Sequence, residues 1–489
     1  MKRIISNPAT ALLLGLCLRL FFVLRFPGNS GDTVLYEQIA ANWLKHHAYA
    51  MDVAGAVTLV DLRMPGYPAF LTFVYALSGR TEAAARFWVM LAQVFVDLST
   101  CVVIARLAQI LGSRSRETPR RNLAFTVGLW LAVTCPFTAN YTAVPLTEVW
   151  ATFFTAVALL FLVRQLRHLE QPATNISNPP DSSWRAARFT GIAAAFTVGF
   201  GTLFRPETPL ILIAAWMVLY WFLARRQQRL RWFRLVLVMA FASFLPLIPW
   251  GARNFLSLHE WQFLAPRNSN LPGELVPQGF MAWEKTWLYR VRDCYLVSWK
   301  LNNEPIDVND IPPRAFDTPQ EKERVAQLLA RHNEDLTLTP EEDAGFAQLG
   351  RERTRRHPLG TYLWLPAARA LTIWFTPRIE LLPFSGKVLP LAQAWEDDPI
   401  DQSVTIGFFV LNIFYVALAA IGALLLWRSN SLARPAIALL VLFVFLRTAF
   451  LTTLETPEPR YVLECFPAVL ALGAQVFRRP SPSVPCVSI

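Results

Sequence analysis

The 489 residues are 54% hydrophobic and 17% charged, far from the roughly 25% charge of ordinary soluble domains, which excludes a soluble multidomain protein and a disordered chain alike. The excess of 46 Lys and Arg over 35 Asp and Glu, a net +11, does not indicate a nucleic-acid partner, because the arginines gather in short runs between apolar stretches. Arg114, Arg116, Arg120 and Arg121 form one run and Arg225, Arg226, Arg229, Arg231 and Arg234 another, the signature of cytoplasmic loops in a polytopic membrane protein.

The first apolar segment, Ala11 to Leu24, follows Lys2 and Arg3 and has no small-residue cleavage site. It reads as an uncleaved helix with its N-terminus inside. Further spans are predicted at Phe87–Leu111, Leu123–Phe137, Val149–Leu162, Phe189–Phe204, Leu210–Leu223, Leu235–Trp250, Ile406–Leu426, Ile437–Leu454 and Val462–Phe477, about ten in all. This count puts the basic loops and both termini on the cytoplasmic side. It holds only if two shorter apolar stretches, Tyr67–Leu77 and Tyr362–Phe375, lie at the outer interface without crossing. The expected location is the bacterial inner (plasma) membrane.

Three regions follow: a transmembrane module over 1–250 with a first outer loop at 27–86, an outer region over 251–403, and C-terminal helices with a cytoplasmic tail over 404–489. Within the outer region, Thr318-Pro319-Gln320-Glu321 and Thr339-Pro340-Glu341-Glu342 each place a capping threonine, a proline at the first helical position and a glutamate three residues after the cap. They predict two amphipathic helices, with Val325, Leu328 and Leu329 on one apolar stripe and Phe346 and Leu349 on the other, lying against the membrane-side domain. The six cysteines show neither a disulfide framework nor zinc spacing.

Polar residues collect at the predicted outer ends of the spans, in six places: Gly31-Asp32-Thr33-Val34-Leu35-Tyr36, Arg63-Met64-Pro65-Gly66-Tyr67-Pro68, Pro145-Leu146-Thr147-Glu148, Arg205-Pro206-Glu207, Trp250-Gly251-Ala252-Arg253-Asn254, and Glu455 through Glu458, Arg460 and Tyr461. Singly, each has an ordinary reading. Asp32 can cap a helix, Glu148 and Glu207 can satisfy a first turn, and Arg63, Arg253 and Arg460 can anchor at headgroups. Jointly they put carboxylates and arginines on one membrane face from both ends of the chain, a pattern of functional sites.

In this order the motifs resemble the family 39-like integral-membrane glycosyltransferases, a group that includes protein O-mannosyltransferases and lipid A aminoarabinose transferases. The resemblance implies the all-α GT-C fold, a catalytic first outer loop and a sugar donor carried on a polyprenyl phosphate, with a lipid, glycan or protein acceptor. The family commonly carries a second acid where this chain has Thr33, and a second proline where it has Met64. The first loop therefore offers one carboxylate, and no cofactor or metal is expected. Asp32 is the expected base, with Glu148 or Asp61 as a distant partner. Arg63, Arg205, Arg253 and Arg460 are the candidates for the donor phosphate, since arginine holds phosphate bidentately. Tyr36, Tyr67, Glu207, Asn254, Glu458 and Tyr461 are the expected substrate contacts, and the aromatics of the two interfacial stretches suit a lipid entering from the outer leaflet.

Two rivals differ on particular features. A secondary transporter would show internal repeats and midplane charges, and no repeat is found. A polysaccharide polymerase or ligase would share lipid-linked substrates but lacks the Gly-Asp and Arg-x-Pro-Gly-Tyr-Pro segments. No P-loop or dinucleotide motif occurs.

Overall fold

The computed structural model describes residues 7–112, 120–170, 180–225, 227–266, 268 and 274–478. The ten expected spans fall mainly on helix, with Leu123–Phe137 broken at Thr134–Cys135. Among the described residues, seven helical stretches are long and apolar enough to cross a membrane: Pro8–Arg25, Glu82–Gly112, Glu148–Glu170, Arg229–Leu258, Pro399–Ser429, Ser431–Leu451 and Pro459–Phe477. An eighth, Leu123–Val133 with Pro136–Ala143, bends by 52° at its break, where Pro136 has no N–H to continue the ladder. Leu210–Ala224 is apolar but has only 15 residues, and Pro180–Thr202 has 23 but is less apolar. The chain is a polytopic, helical membrane protein.

Packing divides the chain into two units. The first comprises 1–266, 379–444 and 463–489; the second comprises 267–378 and 445–462. In the first unit, α1 (Pro8–Arg25) is followed by α2 (Gly31–His46), a two-stranded antiparallel hairpin (β1, Ala50–Val53; β2, Ala56–Leu59), α3 (Gly66–Ser78) and α4 (Arg86–Gly112). The hairpin is an addition to the all-helical expectation. Its turn is Ala54-Gly55, both at positive φ (50° and 83°), the geometry that a two-residue hairpin loop needs.

Arg19, a charge inside the first apolar segment, has a partner in the structure. On α1, its guanidinium pairs with Asp97 of α4 at 2.5 Å and donates to the Gly15 and Val133 carbonyls, both at 2.9 Å. Both side chains are buried, so the pair is neutralised inside the helical bundle, as an intramembrane charge requires. Further along, α5 (Arg120–Val133) and α6 (Pro136–Ala139) lead to α7 (Glu148–Glu170), which packs along α8 (Pro180–Thr202) and α4. Then come α9 (Leu210–Ala224), α10 (Arg229–Phe244) and α11 (Ile248–Leu258).

The expected interfacial stretch Tyr67–Leu77 is α3, and its Pro-Gly entry has a steric reason. Gly66 donates its N–H to the Leu203 carbonyl at 2.8 Å, and a Cβ there would meet that oxygen at 2.6 Å. The motif is thus a close docking of α3 onto the end of α8.

In the second unit, α12 (Gln278–Glu284) is followed by a short turn, α13 (Val291–Asp293), and the two predicted amphipathic helices, α14 (Pro319–Asp335) and α15 (Pro340–Arg356). Both caps form as expected: Thr318 and Thr339 accept the N–H groups of Glu321 and Glu342. Their apolar stripes enter a common core with Phe280, Trp283 and Trp287. That core is the unit's own, which supplies what the stripes pack on. The stretch expected at Tyr362–Phe375 is a single wide turn, Gly360–Trp364, continuing into α16 (Leu365–Trp374).

The expectation from the arginine runs that both termini lie inside predicts a labelling pattern. With cysteines introduced separately at Arg120 and Asn302, an impermeant thiol reagent applied to intact cells should reach the second and spare the first. The reverse pattern would invert the topology.

Candidate active site

The Gly31–Tyr36 motif forms the start of α2. Ser30 is its N-cap, in an extended conformation (φ −135°, ψ 171°), so Asp32 sits inside the first turn and does not cap the helix. Thr33, standing where an acid was expected from the resemblance, is fully buried. Its hydroxyl accepts the Ser30 N–H at 3.1 Å and donates to the Pro145 carbonyl at 3.2 Å. It ties the loop to the start of α7, a place where an unpaired charge would be costly.

Asp32 pairs with Arg63 at 2.7 Å, their side chains 28% and 19% exposed. The carboxylate is therefore both held and reachable. Glu148, the first residue of α7, is 3% exposed and pairs with Arg205 at 2.5 Å. Arg205 lies in the turn after α8 and is also within 3.8 Å of Glu207 and 4.0 Å of Glu464. Three carboxylates from three parts of the chain thus surround one guanidinium. Thr155 of α7 donates to the same Glu464 at 3.4 Å.

Tyr36 joins the two pairs. Burial, with Asp32 adding to it, pushes its phenol up to about 12, while Arg63 and Arg205 act in the opposite sense. The phenol stays a neutral donor at any ordinary pH. Tyr36 also meets Tyr67 edge to face, 5.1 Å between centroids. Tyr67 itself is spent on structure, since its hydroxyl donates to Gln93 at 2.8 Å and Gln93 in turn donates to the Val144 carbonyl.

Arg253, on α11, is held differently. It donates to the carbonyls of Tyr49 and Val60 at 2.6 and 2.8 Å and to the Asn254 side chain at 2.9 Å. Its guanidinium lies over the rings of Tyr49 and Trp250. It clamps both strand ends of the hairpin and makes no ion pair among the described residues. Burial raises the Tyr49 phenol well above its usual range, with Tyr36 adding while Arg253 and Arg63 lower it and Asp61 again raises it. Asp61 therefore belongs to the same neighbourhood. Asn254 is fully buried and donates to the Gln262 carbonyl at 2.8 Å.

Asp32, Tyr36, Asp61, Arg63, Glu148, Arg205, Glu207 and Arg253 are thus brought into one neighbourhood of the first unit. Glu458, Arg460 and Tyr461 belong to the second unit. There Arg460 pairs with Glu458 at 2.5 Å, and the Tyr461 hydroxyl donates to the same carboxylate at 2.7 Å. Sequence reasoning missed Glu464 and Tyr49. Glu464 had a legible signal, an acid inside the predicted span Val462–Phe477; Tyr49 had none, since its importance arises from the hairpin. Among the described residues, no group of three or more His, Cys, Asp or Glu side chains is arranged to hold a metal ion.

The first unit is thus a helical bundle with a paired acid and several arginines in one neighbourhood. The chain's structure is similar to the Archaeoglobus fulgidus oligosaccharyltransferase, solved with a tethered acceptor peptide (13% identity, TM-score 0.47, 96% of this chain and 49% of that one). It is similar also to the same organism's AglB, solved with an inhibitory peptide and a dolichol-phosphate (11% identity, TM-score 0.47, 96% and 50%). A third similar structure is ArnT from Cupriavidus metallidurans bound to undecaprenyl phosphate (13% identity, TM-score 0.35, 96% and 77%). These neighbours are GT-C glycosyltransferases. The chain spans about half the length of the archaeal enzymes. No family model and no curated protein sequence matches it.

Proposed function

We propose that the chain is a GT-C membrane glycosyltransferase that moves a sugar from a polyprenyl-phosphate carrier to an acceptor at the extracytoplasmic face. The observation that carries the reading is the reachable Asp32 carboxylate, held by Arg63 in a neighbourhood that includes further arginines. In the reaction the acceptor hydroxyl gives its proton to Asp32, and the freed oxygen bonds to the anomeric carbon opposite the phosphate. The carbon–oxygen bond to phosphate breaks with its electron pair on the phosphate oxygen, so the sugar inverts. Guanidinium groups offset the charge that develops on the leaving phosphate.

The pairing of the arginines supports an order among them. Arg63 and Arg205 are neutralised by carboxylates, and their first task is to position Asp32 and Glu148. Arg253 keeps an unbalanced charge, and three of its five N–H groups are used. It is the best placed of the first-unit arginines to take a phosphate oxygen.

Arg253→Ala is expected to raise the apparent KM for the lipid-linked donor more than it lowers kcat, and Arg253→Lys to restore part of the loss by keeping charge without the fork. An unchanged donor KM in the alanine variant would remove Arg253 from the phosphate site. The donor itself can be identified by mass spectrometry of the lipid-linked sugars that accumulate in cells lacking the protein.

A further inference from the structure

The second unit contains a cavity of about 430 Å³ to which the proposed transfer chemistry assigns no catalytic or phosphate-binding residue. Trp287, Leu365 and Ala368 give it an apolar floor, and Arg314, Arg353 and His357 bring cationic and imidazole groups to its wall. Acids pair with these groups: Asp293 with Arg314, Asp317 and Glu321 with Arg353, and Asp317 with His357. None of those acids lines the cavity. The Arg314 guanidinium also lies 4.6 Å above the Tyr289 ring, which fixes it at the wall.

The surface beside the cavity has the same two-part character. Helix α15 ends in Arg351, Arg353, Arg355 and Arg356, with the first and the last two exposed. Directly after it come Leu359, Tyr362, Leu363 and Trp364, which are 69%, 74%, 56% and 68% exposed. Trp364 belongs to both features, as a wall of the cavity and as part of this ridge. A run of arginines followed at once by exposed aromatic and aliphatic side chains matches the two halves of an anionic amphiphile.

We propose that this cavity binds an anionic bilayer phospholipid, its phosphate against Arg314 and His357 and its acyl chains along the ridge from Leu359 to Trp364. Charge and shape favour this occupant. A free phosphate would leave the apolar floor and ridge exposed; the buried Arg314 Nε–H, without a hydrogen-bond partner among the described residues, offers a phosphate oxygen a donor that the pairing with Asp293 leaves unused, and the exposed Arg351 and Arg355 favour a net negative headgroup over a zwitterionic one. The lipid would seat the second unit on the membrane surface independently of any sugar chemistry.

The test uses the full chain, delipidated in detergent, with phosphatidylglycerol or phosphatidylcholine of matched acyl chains added and retention read by native mass spectrometry. Phosphatidylglycerol should be retained over phosphatidylcholine. In the double variant His357→Gln/Trp364→Ala its retention should fall on the order of tenfold. Both positions are exposed, His357 by 60%, so the fold is spared. Trp395→Ala, at another exposed tryptophan, should change nothing. Equal retention of the two lipids, or a double variant that keeps phosphatidylglycerol, overturns the proposal. So does inorganic phosphate binding that the same variant abolishes without any lipid preference, or displacement of phosphatidylglycerol by equimolar undecaprenyl phosphate, which would make this the carrier's cavity.

Discussion

Asp32→Asn is expected to lower turnover by about 10² to 10⁴ while leaving expression, folding and donor binding close to those of the parent. The substitution keeps the size of the side chain and an oxygen for Arg63, so the 2.7 Å contact survives in weaker form. What it removes is the ability to take a proton at neutral pH. A merely structural Asp32 has little to lose, because Ser30 and not Asp32 caps the helix. Glycosyl transfer assayed in detergent or liposomes with a polyprenyl-phosphate sugar decides the matter. Full activity in the asparagine variant would make Asp32 a structural residue and move the search to Glu148 and Asp61. Of those, Glu148 would have to act from behind Arg205, at 3% exposure.

Arg19→Leu is expected to destabilise the bundle by about 3–5 kcal/mol, because it leaves the Asp97 carboxylate buried without its cation. Arg19→Leu/Asp97→Leu should recover most of that loss, since two apolar side chains of similar volume avoid the desolvation penalty that both charges carry. Thermal unfolding in a single detergent, compared across the parent, the two single variants and the double variant, gives the coupling. Independent, additive losses would mean that the 2.5 Å pair contributes nothing beyond its separate side chains.

The spans were legible in the sequence because hydropathy is a local property. The caps at Thr318 and Thr339 were legible for the same reason: a cap and its glutamate lie three residues apart. The polar motifs at span ends were readable as candidates, and Asp32, Arg63, Glu148 and Arg205 do share a neighbourhood. What could not be read was pairing over distance. Arg19 and Asp97 are 78 residues apart, and neither sequence neighbourhood names the other. Thr33 looked like a lost acid, whereas its contact with Pro145 makes it a structural tie. Arg253 looked like a plain phosphate ligand until the hairpin gave it two carbonyls to hold. Nothing in the sequence marked Ala54-Gly55 as a hairpin turn, since the usual Asn-Gly or Asp-Gly pair is missing.

The parts of the site are delivered by the ribosome far apart in time. Arg253 closes on Tyr49 across 204 residues, and Thr155 meets Glu464 across 309. While the first loop emerges, it has neither the clamp that orders its hairpin nor the last carboxylate of the Arg205 cluster. The nascent chain therefore passes through insertion with its acid and its cations dispersed, and the cluster is completed only when helices made at opposite ends of translation meet. On the proposed function, activated lipid carriers in the membrane would thereby be shielded from a half-built site.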